Sequence, residues 1–213
     1  MGNQNGKVYG LTLLCPILAD ERAVPSHDLQ IRYTLAQLST GPESPFAQSL
    51  STHLARLVVM DDVIYVGAPA CEEHLNSKYL IFETNCDCDL ETYMTELAKT
   101  IPELLDNIWQ HCTNYPGTTN LTAFLQYMKT CQIETTFFFA ATNNKTRNET
   151  LMALQTQRAV ADFLTAHQGM ERRDPAQLQR EFLDFASKLR ATPTPPPAMF
   201  PKQRDMQTGG HNE

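Results

Sequence analysis

Four short segments constrain this chain more than any other feature, because each is apolar on both of the faces that a β-strand presents. They are Val8 to Cys15 (VYGLTLLC), Leu54 to Met60 (LARLVVM), Tyr79 to Thr84 (YLIFET) and Thr135 to Ala141 (TTFFFAA). All are rich in β-branched or aromatic residues and bounded by turn formers or polar clusters, which marks them as strands. Successive strand side chains point to opposite faces, so Tyr79 and Ile81 face one way while Leu80 and Phe82 face the other. Neither face of such a sheet is built for water.

Helical periodicity fills the intervals. Asp28 to Leu38 carries Leu29, Tyr33, Leu35 and Leu38. After Asp89, a good N-cap residue, Leu90, Tyr93, Met94, Leu97, Ile101, Leu104, Leu105, Ile108, Trp109 and Cys112 recur by threes and fours. Pro102 falls inside this stripe without shifting its phase, which predicts a kink or a restart at Thr100 to Pro102. Leu121 to Lys129 reads as a short helix and Glu149 to His167 as a longer one stopped at Gly169. A last helix, Pro175 to Arg190, is capped by Asp174 and has Leu178, Phe182, Phe185 and Leu189 on its buried side.

The order strand, helix, strand, strand, helix, strand, then two helices, is that of a split βαβ unit. The expected class is α+β, a ferredoxin-like βαββαβ sandwich of the dimeric α+β barrel type with two extra C-terminal helices. Two helices cover one sheet face. A second subunit, the C-terminal helices or a ligand must cover the other. The ordered domain is expected over residues 8–190, between a loose N-terminus, 1–7, and a disordered Pro-rich tail, 191–213.

Charge and composition narrow the function classes. Seventeen Lys and Arg against 24 Asp and Glu leave a net charge of -7, the wrong sign for neutralising phosphates, so no nucleic-acid partner is expected. No apolar run approaches the roughly 18 to 20 residues of a membrane span, and MGNQNGKVYG lacks the basic flank and apolar stretch of an export signal. The expectation is a soluble cytoplasmic protein whose six cysteines are free thiols.

Chemistry-bearing residues gather in three places. Trp109-Gln-His111-Cys112-Thr-Asn-Tyr115-Pro116-Gly117 lies at a helix C-terminus, where the dipole favours a protonated imidazole, so His111 reads as a charged donor, proton shuttle or ligand. The other reading, a helix stop, puts Trp109 and Cys112 in the core, His111 capping carbonyls and Tyr115 opening a turn. Arg56 shares a strand face with Leu54, Val58 and Met60, and must be paired with a carboxylate, lie at an edge or meet an anionic ligand. His53 points to the opposite face if that strand is unbroken. Cys86-Asp-Cys88 has the wrong spacing for structural zinc, so no metal site is expected, and Asp87 and Asp89 should raise the thiol pKa values.

THLARLVVMDD (Thr52 to Asp62), SKYLIFETNCDCDLETYM (Ser77 to Met94) and IWQHCTNYPG (Ile108 to Gly117) together resemble a group of largely uncharacterised bacterial proteins. Its usual pattern is close to H-F-A-R-[FW]-V-[VI]-x-D-D, then S-x-Y-L-L-F, then I-W-x-H-C-x-G-Y-P-G. This chain has Leu54 where an aromatic is usual and Asn114 where a glycine is usual. The resemblance marks His53, Arg56, Trp109, His111 and Tyr115 as a signature and implies no established activity. More distantly the layout is similar to the dimeric α+β barrel superfamily, which includes haem-binding peroxidases of the dye-decolourising type, chlorite dismutases and small cofactor-free monooxygenases.

Two function classes follow. In the first, a pocket over the open sheet face binds an apolar or anionic small molecule for oxidative chemistry, haem-dependent and peroxidase-like or cofactor-free and monooxygenase-like. His53, Arg56 and His111 would then be catalytic, and Arg56, Trp109 and Tyr115 would hold the cofactor. In the second, the chain is a non-catalytic homodimeric or partner-binding module whose signature residues are structural.

Overall fold

The computed structural model describes residues 2–63, 67, 74–169 and 174–194. They divide between Thr150 and Leu151 into two compact units, where the sequence suggests one unit over residues 8–190. The first unit holds an α+β fold with an open, five-stranded antiparallel sheet. Its strands are β1 (Gln4–Asn5), β2 (Val8–Pro16), β3 (Thr52–Met60), β4 (Tyr79–Cys86) and β5 (Gln132–Ile133). Helices α1 (His27–Ala36), α2 (Leu90–Thr100), α3 (Pro102–Trp109) and α4 (Leu121–Cys131) belong to the same unit. Among the described residues no helix is long and apolar enough to cross a membrane.

The longest ladders run β2–β4–β3. Leu13 faces Phe82 and Phe82 faces Leu57, with Pro16, Tyr79 and Met60 closing one end and Tyr9, Cys86 and Thr52 the other. β1 and β5 pair in tandem along the remaining edge of β2, at Val8 and Tyr9 and at Thr12 and Leu13 respectively. Every pairing is antiparallel, and the order β5–β2–β4–β3 is compatible with a ferredoxin-like arrangement.

Alternation sorts the two faces. Leu11, Leu13, Cys15, Leu80, Phe82 and Cys86 are buried in one core with Ile31, Tyr93, Met94, Leu97, Leu105, Ile108, Trp109, Phe124 and Met128 of the helices. The opposite face presents Gly10, Thr12 and Leu14 from β2, Ile81, Glu83 and Asn85 from β4, and Leu54, Arg56 and Val58 from β3. Leu54 and Val58 are exposed there. That face is thus mixed: an apolar row, Leu14–Ile81–Val58, lies beside a charged row containing Glu83 and Arg56.

Local chemistry explains where the helices begin and end. The Asp89 carboxylate accepts from the Thr92 N–H at 2.9 Å, and Leu90, Tyr93, Met94 and Leu97 form the buried stripe of α2. Ile101 leaves helical geometry at φ -135, ψ 46, and α3 restarts with Pro102 in its first turn, where a missing N–H costs nothing. The Asn120 side chain accepts from the Ala123 N–H at 3.2 Å to open α4.

Three sequence expectations are altered. The fourth strand is Gln132–Ile133, not Thr135–Ala141. The edge of β2 is already shared by β1 and β5, and the later backbone is satisfied by asparagines instead: Thr135 N–H donates to Asn3 Oδ1 and Asn5 Nδ2 to the Phe138 carbonyl. The three phenylalanines still alternate, since Phe137 and Phe139 are exposed while the Phe138 ring lies over Gly10. The N-terminus expected to be loose supplies β1, folded back through Gly6 at φ 61; a Cβ there would come within 2.3 Å of the Asn143 carbonyl oxygen. Finally, β3 is not unbroken, because its register shifts between Thr52 and Leu54, leaving His53 as the extra residue of a bulge.

The second unit takes up α5 (Arg147–Ala166) from Leu151 onward and α6 (Pro175–Ala191), the latter capped by Asp174. Within it Phe163 stacks on Phe185, with centroids 4.6 Å apart, and on His167 at 4.0 Å; His167 Nε2 lies 2.9 Å from Glu181. The expected burial of Leu178, Phe182, Phe185 and Leu189 is not reached. Phe182 is exposed and the other three are half-buried, because two helices alone enclose little volume. The expected Pro-rich tail lies, beyond residue 194, outside the described residues.

Phe82 is fully buried on the central strand, stacked with Phe46 and edge-on to Trp109. Phe82→Ala should cost about 3–5 kcal/mol in chemical denaturation. Asp89→Ala, which removes only a cap, should cost about 1 kcal/mol.

Candidate functional site

The residues singled out in the sequence occupy three separate places. Arg56 stands on the uncovered sheet face, where its side chain is 66% exposed and forms an ion pair with Glu83, its direct cross-strand neighbour. The two border a cleft of about 290 Å³ lined also by Gly10, Thr12, Leu54, Asn85 and Phe138. The ring of Phe138 rests against β2 because residue 10 is glycine: a Cβ there would lie 3.0 Å from the ring. The arginine thus has the carboxylate partner that its apolar surroundings demand, and it also edges a cavity.

His53 is directed elsewhere by its bulge. Its Nε2 lies 2.6 Å from Asp87 Oδ1, while Asp87 Oδ2 accepts from the Arg147 N–H at 2.9 Å. Arg147 is 7% exposed and its guanidinium donates to the carbonyls of Leu50 and Ala47. Beside it, Thr52 and Thr84 hydroxyls bond Tyr93 Oη at 2.9 and 3.1 Å, Ser49 Oγ lies 2.7 Å from Thr52 Oγ1, and Ser51 Oγ donates to Glu96. This polar nest was only partly legible beforehand. SLSTH (Ser49 to His53) is visibly polar ahead of a strand, but Asp87, Glu96 and Arg147 reach it from distant segments.

His111 sits at the other end of the ladder. Its carbonyl accepts from Leu18 N–H and the Thr113 N–H donates to the Pro16 carbonyl, which staples the end of α3 to the end of β2. His53 lies beside the Thr52–Cys86–Tyr9 end, so the seven residue steps of β2 from Tyr9 to Pro16, about 23 Å, lie between the two histidines' ends of the sheet. They do not converge on one pocket, and neither lines the cleft at Arg56.

The expected protonated His111 is also corrected. Its Nδ1 lies 2.9 Å from His27 Nδ1, and the residue is 8% exposed. Burial, and then the neighbouring His27, lower its pKa from the ordinary imidazole value. Desolvation disfavours the charged form of the ring. Trp109 is fully buried, donating Nε1–H toward Cys15 Sγ at 3.3 Å. Tyr115 donates its hydroxyl to Asp106 Oδ1 at 2.8 Å, where Thr118 also donates, and packs edge-on against Tyr127. These contacts give Trp109 and Tyr115 places in the core and the turn, away from the cleft. Asn114 has φ 59, a left-handed conformation that asparagine tolerates better than most.

The thiols divide unequally. Cys15, Cys86, Cys88, Cys112 and Cys131 are free, and Cys71 lies outside the described residues. The hydrogen bond with Cys88, and then burial, push the Cys86 thiol up; the same bond, from the other side, brings Cys88 down. The expectation that Asp87 and Asp89 raise both thiols fails for Cys88, because a neighbouring donor outweighs more distant carboxylates. Among the described residues no group of three or more His, Cys, Asp or Glu is placed to hold a metal ion.

The lowered His111 pKa makes stability depend on pH. The unfolded chain takes up the proton first, so stability is complete above about pH 6.5, the unperturbed value, and falls as the pH drops below it. Urea midpoints should decline from pH 7 toward pH 5, and His111→Asn should flatten that decline. An equal slope in the variant would remove His111 as its source.

No family model, no curated protein and no solved structure matches this chain, so the reading of its site rests on its own geometry.

Proposed function

We propose that this chain is a small-molecule-binding protein whose ligand, apolar with an anionic group, lies over the uncovered face of a ferredoxin-like βαββαβ sheet. Arg56 would hold the anion. The cleft of about 290 Å³ beside Arg56 and Glu83 carries this reading, with Leu54, Gly10 and Phe138 as apolar walls. An exposed ion pair contributes only about 0.2–1 kcal/mol, so opening Arg56–Glu83 costs less than a charge-assisted contact in the cleft returns.

Haem does not fit this cleft. Its iron is held by histidine, cysteine, methionine or tyrosine side chains, and none of these lines the cavity. His53 and His111, the residues considered for axial or base roles, are engaged by Asp87 and His27 away from it. Of the oxidative readings only the cofactor-free one keeps a proton acceptor at the cleft, the Glu83 carboxylate.

A second reading has an observation of its own. The apolar row Leu14–Ile81–Val58 beside adjacent Arg56 and Glu83 is self-complementary about a two-fold axis, which sets Arg56 of one copy against Glu83 of the other. A homodimer formed through this face would bury the row and close the cleft.

The probe that separates them is 8-anilinonaphthalene-1-sulfonate, an apolar anion, titrated by fluorescence while light scattering reports mass. Ligand binding predicts saturable fluorescence that Arg56→Gln weakens about tenfold, or ~1.4 kcal/mol, with native circular dichroism retained. Gly10→Val, which displaces the Phe138 ring, should abolish it. A dimer that shows no saturable fluorescence, and that Arg56→Glu dissociates, would replace the ligand reading with the homodimer.

A further inference from the structure

Cys86 and Cys88 flank Asp87 at the junction where β4 has ended and α2 has not begun. Cys86 is the last strand residue and fully buried, whereas Cys88 is half-buried and precedes Asp89, the N-cap of α2. A bend at Asp87 and Cys88 turns the second cysteine back on the first, so that Cys86 Sγ donates to the Cys88 carbonyl at 3.1 Å. Asp87 anchors the bend on both sides, through His53 Nε2 at 2.6 Å and the Arg147 N–H at 2.9 Å. Asp89 alone serves as the cap. Cys88 packs against the edge of the core but takes no part in the cap.

We propose that Cys86 and Cys88 form a thiol–disulfide couple that reacts with small soluble disulfides, Cys88 as the attacking thiol and Cys86 as the resolving one. Residues two apart in sequence are at most about 7 Å apart at Cα, and a bend brings them nearer, within the span that a disulfide bridges. Cys88 is the more accessible member and stands one residue before the N-cap of an eleven-residue helix, whose positive end favours nearby negative charge. Its lowered pKa, caused first by the Cys86 hydrogen bond and then helped by Ser51, agrees with that placement, while Glu96 and Asp89 oppose it. Cys86 keeps its proton, held there by Cys88 and by burial.

The reaction balances with a low-molecular-weight disulfide as oxidant. The Cys88 thiolate attacks one sulfur of R–S–S–R, that bond breaks, and one R–S⁻ leaves. Cys86 gives its proton to the departing thiolate and attacks the Cys88 sulfur, expelling the second R–S⁻. The products are the Cys86–Cys88 disulfide, one R–SH and one R–S⁻, and two electrons have passed from the cysteines to the oxidant. The couple lies at the Tyr9–Cys86–Thr52 end of the sheet, and neither cysteine lines the cleft at Arg56.

Tryptic peptide Tyr79–Lys99 contains these two cysteines and no other, so one measurement isolates them. The full chain is equilibrated with mixtures of reduced and oxidised glutathione, quenched in acid, alkylated with N-ethylmaleimide, digested and weighed. The expected wild-type peptide loses both alkylations and two hydrogens as the oxidised fraction rises, and dithiothreitol restores both. Cys15, whose hydrogen bond with Cys112 pushes its pKa up to about 12, should stay reduced under the same conditions. Cys86→Ala should stop at a glutathione adduct on Cys88, and Cys88→Ser should slow the loss of the Cys86 thiol by at least about tenfold. A wild-type peptide that stays doubly alkylated at every ratio, or that accumulates the adduct without closing, overturns the proposal. Both results are read on unaltered protein and do not depend on how the variants fold.

Discussion

The ring of Phe82 joins the elements of the first unit. It lies on β4, between β2 and β3, and meets Trp109 of α3 edge-on at 5.5 Å and Phe46 in a stack at 5.9 Å. Trp109 in turn reaches Cys15 of β2. A side chain from each long central strand and from the helical layer therefore shares one close-packed contact, and a methylene lost there would be felt across the unit. The split of the long apolar stripe into α2 and α3 serves this contact, since restarting at Pro102 re-aims Leu105, Ile108 and Trp109 into the core.

A sheet packed with helices on one face leaves the other to its own devices. Here that face is neither a polar solvent surface nor a uniform apolar one. The row Leu14–Ile81–Val58 is apolar, the next row carries Glu83 and Arg56, and Phe138 folds across Gly10 without joining the ladder. The charged pair sets a matched cation and anion at the edge of an apolar row.

The two ends of the ladder are chemically unlike. At one, Tyr9, Cys86 and Thr52 run into a nest of hydroxyls, two carboxylates, a buried arginine and a pair of thiols. At the other, two imidazoles share one short contact in a largely desolvated setting. Burying that many polar groups is tolerable only because nearly all are paired. It also perturbs proton affinity outside the cleft, raising the Cys86 pKa and lowering that of Cys88 at one end and lowering that of His111 at the other.

Much of the framework was legible in the amino-acid order, because helix and strand periodicity, caps and proline positions act over a few neighbouring residues. Asp89 and Asp174 do cap helices, and three of the four expected strands form nearly as read. Thr135–Ala141 has the composition of a strand and fails to become one, since pairing needs a free edge and β2 had none left. The site residues were legible as types and not as partners. Arg56 needed a carboxylate, but that it is Glu83 follows from the β3–β4 register. His53 meets Asp87 only because a bulge turns it, and the His111 pKa is lowered first by burial and then by His27, 84 positions earlier. By itself the sequence determined local conformation and which faces had to be buried. Tertiary structure alone decided which charges and thiols meet, because those distances are set by strand register and chain return rather than by spacing along the chain.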